Sequence, residues 1–522
     1  MSDHDRPPVA PAGAPAVMSG SPDGIGYASA AGRWVLLATV LGSAMASIDA
    51  TVVGIALPAI GHDFGGTIAT LQWVVTAYAL TLAGLLLFSG ALGDRYGRKR
   101  IFLAGVVWFA VASLACGVAP DAPVLIAARA VQGIGAALLT PGSLAILEAS
   151  FRPGDRSKAI GAWSGFAGVG TAIGPFLGGW LIAAVSWRLI FIINLPLAVL
   201  VVAVGLRHVP ESRDPAAGGR LDVAGGVLVT IGLIGLTYGL INGPSAGWGA
   251  PDALSALVGG VLLLGVFVAR ERRAAAPLLP LSLFSSVQFS AANVVTFAVY
   301  GALGGVLFLL PIQLEQVSRY TALQAGVSLL PVTVIMLALS ARSGALAAKI
   351  GPRLQMSVGP LVIGAGLALF ARIGTSGDYL TEVLPAVLIF GFGLAINVAP
   401  LTSTVLAAAP AERAGIASAV NNDVARAAGL LAVAILPAAA GLTGAAYLNS
   451  AQFSAGFRTA SFISAGLCVA AGVMAAVTIR NPARAAAPPD HEPFHCALDA
   501  PAQCPVADTC ARPVLRVTWA DG

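Results

Sequence analysis

Asp49 stands inside an apolar run that begins at Trp34 and ends near Pro58. A carboxylate at the centre of a hydrocarbon layer costs about 2.5–3.5 kcal/mol on insertion scales, so a chain keeps one where it is paired, protonated or hydrated. The chemistry open to such a group is the binding of a proton or a cation. Arg129 is the one basic residue in the middle of the first half of the chain. Its guanidinium does not deprotonate, so it needs an anion, a carbonyl or water, and Asp49 and Glu148 are the two carboxylates within plausible reach. Trp73 and Tyr78 offer π faces to a lipophilic cation, although a tryptophan near a membrane interface also serves as an anchor. Glu315 is either a second acidic contact for cargo or proton, or an exposed residue at the outer end of a span. Asp423 and Arg426 lie three apart on one helix face, where they are expected to neutralise each other.

These residues need elements that hold them in oil. The chain has 522 residues, 57% hydrophobic and 10% charged, with a mean hydropathy of +0.86. Soluble domains carry about 25% charged residues, so the composition is that of an all-α polytopic membrane protein. Spanning helices need about 20 apolar residues. Fourteen stretches qualify, near 34–57, 70–91, 101–119, 123–147, 158–183, 188–206, 223–241, 253–269, 288–311, 322–341, 355–373, 380–406, 414–440 and 459–479. Residues 1–32 and 481–522 read as disordered cytoplasmic tails. The first lacks the basic start and short apolar core of a signal peptide. Cys116 and Cys468 fall in apolar runs, and Cys496, Cys504 and Cys510 in the second tail, so no disulfide framework is indicated. With His491 and His495, the tail cysteines match no zinc spacing.

With both tails inside, 23 of the 29 basic residues fall in internal segments. Four fall in external loops and flanks (Arg188, Arg319, Arg372, Arg458), and Arg129 and Arg426 lie within spans. This bias fixes the orientation. The halves also echo each other. GALGDRYGRKR (90–100) returns as GALAAKIGPRL (344–354), and GIGAA (133–137) returns as GFGLA (391–395). Two six-helix bundles, 33–210 and 287–480, flanking linkers and an inserted two-helix hairpin at 211–286, account for these offsets. Parallel repeats of this kind are a transporter architecture with the cargo site between halves near the midplane.

The first repeat loop places Gly90, Asp94, Arg95, Gly97, Arg98 and Lys99 together. The glycines allow tight turns and close helix approach, and Asp94 can accept hydrogen bonds from an arginine or a helix N-terminus. The loop is therefore expected to act as an ionic latch that holds the cytoplasmic side shut. In the fifth span Gly161, Gly165, Gly170, Gly174 and Gly178 follow small-xxx-small spacing, which permits near backbone contact with another helix. Pro175 removes a helical hydrogen bond there. A smooth face of this kind can pivot.

The loop 90–100 resembles the signature loop of the major facilitator superfamily. RAVQGIGAA (129–137) resembles that superfamily's fourth-helix motif, and GTAIGPFLGGW (170–180) its antiporter motif, matching at Gly170, Gly174, Pro175, Gly178 and Gly179. SIDATVVGIALPAI (47–60), LQWVVTAYAL (71–80) and WRLIFIINLPLAVL (187–200) narrow the resemblance to the fourteen-helix drug:proton antiporter family, over residues 33–480. The resemblance implies a major facilitator fold, Asp49 as a coupling residue, and Arg129 as the group that tunes its protonation. The second half departs from the pattern: Glu315 stands where glutamine is usual, Asp423 is added, and Leu430 and Val433 replace glycines.

The expected function is proton-coupled export of amphipathic drugs or antibiotics by a monomer in the cell membrane. The alternative is a major facilitator transporter of another small metabolite. No phosphate loop, cofactor motif or metal-ligand set occurs, so neither ATP nor a cofactor is expected, and neither an enzyme nor a nucleic-acid binder. All five histidines lie outside the spans.

Overall fold

The computed structural model describes residues 24–213, 222–274, 277–410, 413–444 and 448–481. The tails 1–23 and 482–522, with their cysteines and histidines, lie outside the described residues. Among those described, all regular elements are helices, and one isolated parallel bridge joins Ile25 to Phe151.

The first half contains α1 (Ala30–Phe64), α2 (Ile68–Tyr96), α3 (Arg98–Gly117), α4 (Ala122–Ser150), α5 (Pro153–Ala184), the short α6 (Leu189–Ile192) and α7 (Asn194–His208). Local chemistry sets their ends. The Ser29 hydroxyl caps α1 by accepting from the Gly32 N–H, and Gly65, at φ 57°, ends it. Thr67 and Thr70 form a reciprocal capping box on α2, and the Asp121 carboxylate caps α4. The inserted hairpin is α8 (Val223–Ala246), capped by Asp222, and α9 (Pro251–Glu271). The second half contains α10 (Val287–Ile312), α11 (Ala322–Ser328), α12 (Leu330–Ile350), α13 (Pro352–Phe370), α14 (Leu384–Ala407), α15 (Ala414–Ala439) and α16 (Ser450–Thr478). Wider π turns extend α10 over Gln313–Val317 and precede α14 over Tyr379–Val383.

Thirteen spans among the described residues are long and apolar enough to cross a membrane. The 32-residue α5, about 48 Å at 1.5 Å per residue, exceeds a hydrocarbon core of about 30 Å and completes the fourteen. The predicted sixth span is a short helix followed by α7, and the predicted tenth is broken between α11 and α12.

The internal repeat is visible in the packing. A Cβ on Gly135 would meet the backbone of Phe109 at 2.6 Å, and one on Gly393 would meet the backbone of Ile363 at 2.5 Å. Gly135 thus seats α4 on α3 as Gly393 seats α14 on α13. Gly133 and Gly391 do the same against α2 and α12. The repeated loop keeps its second glycine for a backbone reason: Gly97 has φ +117° and Gly351 has φ +86°, a region that side chains rarely tolerate.

The hairpin is not a detached appendage. A Cβ on Gly84 of α2 would meet Thr230 of α8, and Leu233 of α8 packs with Leu80 of α2 and Leu430 of α15. Helix α8 therefore lies along the seam between α2 and α15. The alternation of spans places the loops rich in basic residues at one end of the bundle, called here the basic end.

Candidate functional site

Asp49 and Arg129 meet in the first half and are both about 1% exposed. The Arg129 Nη1 donates to Asp49 Oδ2 at 2.5 Å, and its Nε donates to the Val74 carbonyl at 3.1 Å. Glu148, the other anion the sequence offered, is exposed near the end of α4. The pair does not stand alone. Gln132, one turn beyond Arg129, donates from Nε2 to Asp49 Oδ1 at 2.8 Å and to Ser113 Oγ at 2.7 Å, and accepts from Arg129 Nη1 at 2.6 Å. Asn194 of α7 donates to Asp49 Oδ1 and Ser113 Oγ at 3.4 and 3.3 Å. Five helices, α1, α2, α3, α4 and α7, thus contribute to one network around Asp49.

Burial makes this network consequential. A buried pair with every remaining donor and acceptor engaged is tolerated, whereas removal of one member leaves an uncompensated charge. The Arg129 guanidinium carbon also sits 4.3 Å from the Tyr78 ring centroid and 5.7 Å from that of Phe191. Tyr78 therefore presents its π face to Arg129, while its hydroxyl, also buried, has no hydrogen-bond partner. Trp73 is not part of the cluster: its ring lies 6.1 Å from that of Tyr238 on the inserted hairpin. The ring offered above to a lipophilic cation lies instead at the α2–α8 seam.

The glycines of α5 and the ends of the halves build a second feature. A Cβ on Gly174 would overlap the Thr51 hydroxyl of α1, and one on Gly178 would meet Val52 at 2.7 Å. Helix α5 thereby packs directly on the helix that carries Asp49. One turn further, the seal between halves begins. A Cβ on Gly179 would meet the Ala322 carbonyl at 2.5 Å and Leu323 Cα at 2.7 Å. Gly326 of α11 in turn abuts the Pro175 carbonyl. On the other flank Gln72 Nε2 donates to the Val433 and Ala434 carbonyls at 2.6 and 3.2 Å, and the Ile68 N–H donates to the Gly444 carbonyl at 3.0 Å. All of these contacts lie at the end opposite the basic loops, so the halves are joined there.

At the basic end Asp94, Arg98 and Lys99 bond within their own half. Arg98 donates from Nε to Asp94 Oδ1 at 2.8 Å. Glu211, just past α7, accepts from the Lys99 N–H at 3.1 Å at the start of α3, and Arg98 N–H donates to the Ser212 carbonyl at 3.0 Å. A carboxylate there also suits the helix dipole. Lys99 Nζ caps the Leu206 carbonyl at 3.1 Å. Gly90 faces Pro141 of α4, and Arg95 lies beside the Tyr96 ring. Among the described residues no ion pair crosses between the halves at this end. The expected latch is thus seen as the Asp94–Arg98 pair within the first half.

A short strap also binds this end. The Arg152 N–H donates to the Ile25 carbonyl, the Ile25 N–H to the Ser150 carbonyl, and the Tyr27 N–H to Asp155 Oδ2 at 3.0 Å. The Tyr27 backbone donor, aided by Lys158, holds the Asp155 carboxyl below the usual carboxylate range.

In the second half, Glu315 sits in the π turn beyond α10, half-buried, with Oε1 lacking a hydrogen-bond partner. Such turns are enriched at functional positions. Asp423 and Arg426 are both half-buried. Asp423 Oδ1 is buried without a hydrogen-bond partner, and among the described residues no close ion pair joins the two.

Gln132, Ser113, Asn194, Gln72 and Glu211 escaped the sequence reading. Uncharged amides and hydroxyls inside apolar runs give little signal. The readable clue was the spacing of Gln132 from Arg129.

Residues 39–434 match the Major Facilitator Superfamily. The tetracenomycin C resistance and export protein of Streptomyces glaucescens is 36% identical over 421 residues, covering 80% of this chain and 78% of that protein. The puromycin resistance protein of Streptomyces alboniger is 37% identical, with 80% and 83% covered. A multidrug resistance protein of Mycobacterium tuberculosis is 36% identical, with 74% and 72% covered. Among solved structures, a bacterial homologue of the lysosomal transporter Spinster, in an inward-facing and unoccupied conformation, superposes with a TM-score of 0.62 at 18% identity, over 86% of this chain and 97% of that one. A D-xylose-proton symporter superposes with a TM-score of 0.61 at 16% identity, over 86% and 98%. These likenesses describe the fold.

Proposed function

The chain belongs to the Major Facilitator Superfamily, and from that premise we propose that it is a proton-driven antiporter whose coupling carboxylate is Asp49. Its relatives are antibiotic and multidrug resistance and export proteins, and the chain exports drugs of that kind. Amphipathic drugs or antibiotics are the cargo in this reading. The observation that carries it is the buried Asp49–Arg129–Gln132 network. A carboxylate held by one guanidinium and two amides can take a proton only if the network rearranges, which ties protonation to helix movement. Gly174 and Gly178 transmit that movement, because α1 rests on the α5 backbone at the level of Asp49.

The positive-inside bias supports cytoplasmic termini in the cell membrane. In this reading the conformation is sealed outside. Cargo enters from the cytoplasm or inner leaflet, the halves rock, and a proton arriving from outside releases it. The clamp of Asp94 and Arg98, braced by Glu211, keeps the first half rigid as its ends separate. Residues 33–210 and 287–480 move as the two bundles, with 211–286 as linkers and hairpin. The protein works as a monomer and needs no cofactor, metal or nucleic acid, and it catalyses no covalent change in its cargo.

Asp49→Asn in the full chain, expressed in a pump-deficient host, tests the reading. A growth-inhibition panel with and without a protonophore should show resistance in the wild type, its loss with protonophore, and its loss in the variant at equal membrane abundance. Undiminished, protonophore-sensitive resistance in the variant removes Asp49 from the role. Greater sensitivity in cells carrying the wild type identifies an importer instead.

A further inference from the structure

Helix α15 carries a stripe of four residues, Asp423, Arg426, Leu430 and Val433, at spacings that share one helix face. Two of them fix where the face looks. Leu430 packs with Leu80 of α2 and Leu233 of α8, and the Val433 carbonyl receives Gln72 of α2. The stripe therefore turns toward the first half. Followed away from the seal, its next two members are Arg426 and Asp423, half-buried charges about 4.5 Å apart along the axis at 1.5 Å per residue.

Both charges are unspent. Asp423 Oδ1 is buried with no hydrogen-bond partner, and among the described residues neither side chain makes an ion pair. A guanidinium that seeks an anion and a carboxylate that seeks a cation or donor thus share the face of α15 that carries Leu430 and turns toward Leu80 of the first half.

Resting on the export reading above, we propose that Asp423 and Arg426 recognise amphoteric cargo: amphipathic molecules that carry an anionic group together with a cationic or hydrogen-bond-donating one. A purely cationic amphiphile satisfies Asp423 and leaves Arg426 desolvated without a counter-charge, which is costly. A purely anionic one strands Asp423. A molecule with both groups satisfies both, and its apolar body covers the leucines. Discrimination of this kind comes from the polar groups that a wrong ligand leaves unpaired.

The test uses two dyes that differ in one group: rhodamine B, with a carboxylate and a cationic ring system, and its ethyl ester, which keeps only the cation. Binding to the purified full-length protein in lipid nanodiscs is read by fluorescence polarisation. The acid should bind at least about tenfold more tightly than the ester, the discrimination expected of a charge-assisted hydrogen bond. Arg426→Gln should bring the acid down to the affinity of the ester while sparing the ester. Arg426→Lys should keep part of the preference. Asp423→Asn should weaken both dyes. A wild-type protein that binds acid and ester alike overturns the proposal, as does an Arg426→Gln protein that loses both equally. If Arg426→Gln does not fold, the wild-type ratio and that of Arg426→Lys decide. Protonophore-sensitive efflux of the ester from cells is measured alongside. Efflux without acid preference sinks the recognition site alone, and acid preference without efflux of either dye sinks the export reading alone.

Discussion

Gly179→Ala should hold the transporter open at the end opposite its basic loops. The added Cβ would lie 2.5 Å from the Ala322 carbonyl oxygen, 2.7 Å from Leu323 Cα and 2.9 Å from the Ala322 carbonyl carbon. All three are backbone atoms, so no rotamer change relieves the overlap, and α5 and α11 must separate by several tenths of an ångström. Overpacking of this kind costs about 1–3 kcal/mol. The cost exists only in the sealed conformation, because the contact is absent once the halves part there. It therefore acts whole on the equilibrium between conformations and should shift it about 5- to 150-fold. Spin labels on cysteines placed at Pro120 and Thr375, exposed loop positions of the two halves at that end, should report a longer separation in the variant. Drug export should fall with fold and abundance intact. An unchanged distance distribution with full export would refute the argument that this glycine is the limiting contact of the seal.

Further outcomes follow from the same contacts. Arg129→Gln leaves Asp49 buried without its counter-charge and should destabilise the protein by about 3–5 kcal/mol, read as a lower melting temperature in detergent; adding Asp49→Asn should recover the stability but not the export. Gln72→Ala removes both donors to the Val433 and Ala434 carbonyls and should lengthen the same spin-label distance without the clash of Gly179→Ala. Gly97→Ala meets both a φ of +117° and the Glu211 carboxylate; strain at such a φ costs of order 1–3 kcal/mol, seen as a lower melting temperature. The Asp155 carboxyl titrates below its ordinary value because Tyr27 and Lys158 hold its charged form, so the strap gains from it above about pH 4 and loses that gain as the pH falls through the lowered value. Amide exchange at Tyr27 should stay protected at neutral pH and lose protection on acidification, and Asp155→Asn should be less protected at every pH above 4.

The fold was readable because its signals are long. Apolar runs of twenty residues, their basic edges and the twice-used loop sufficed for fourteen spans. The breaks were less readable: the sixth span parts at Ile193, between α6 and α7, and the tenth at Leu329, in stretches as apolar as any helix core. For the site, charge was visible and its company was not. Asp49 and Arg129 stand out against oil, yet Ser113 and Asn194 lie 64 and 145 positions from Asp49 along the chain, and only tertiary packing brings them together. Trp73 misled because an aromatic near an interface has several uses, and the hairpin that claims it begins 150 residues later. Asp423 and Arg426 misled because three-residue spacing permits contact without requiring it.

The named contacts of the opposite-end closure address main chain: Gln72 grips two carbonyls, Gly179 meets a third and an α-carbon, Gly326 meets a fourth, and Ile68 donates to a fifth. Every peptide offers those atoms whatever residue bears them. Side chains of α11 and α15 outside the Leu430 packing can thus drift in evolution without loosening these contacts, and a lineage of such pumps can acquire new tastes while its hinge mechanics stay the same.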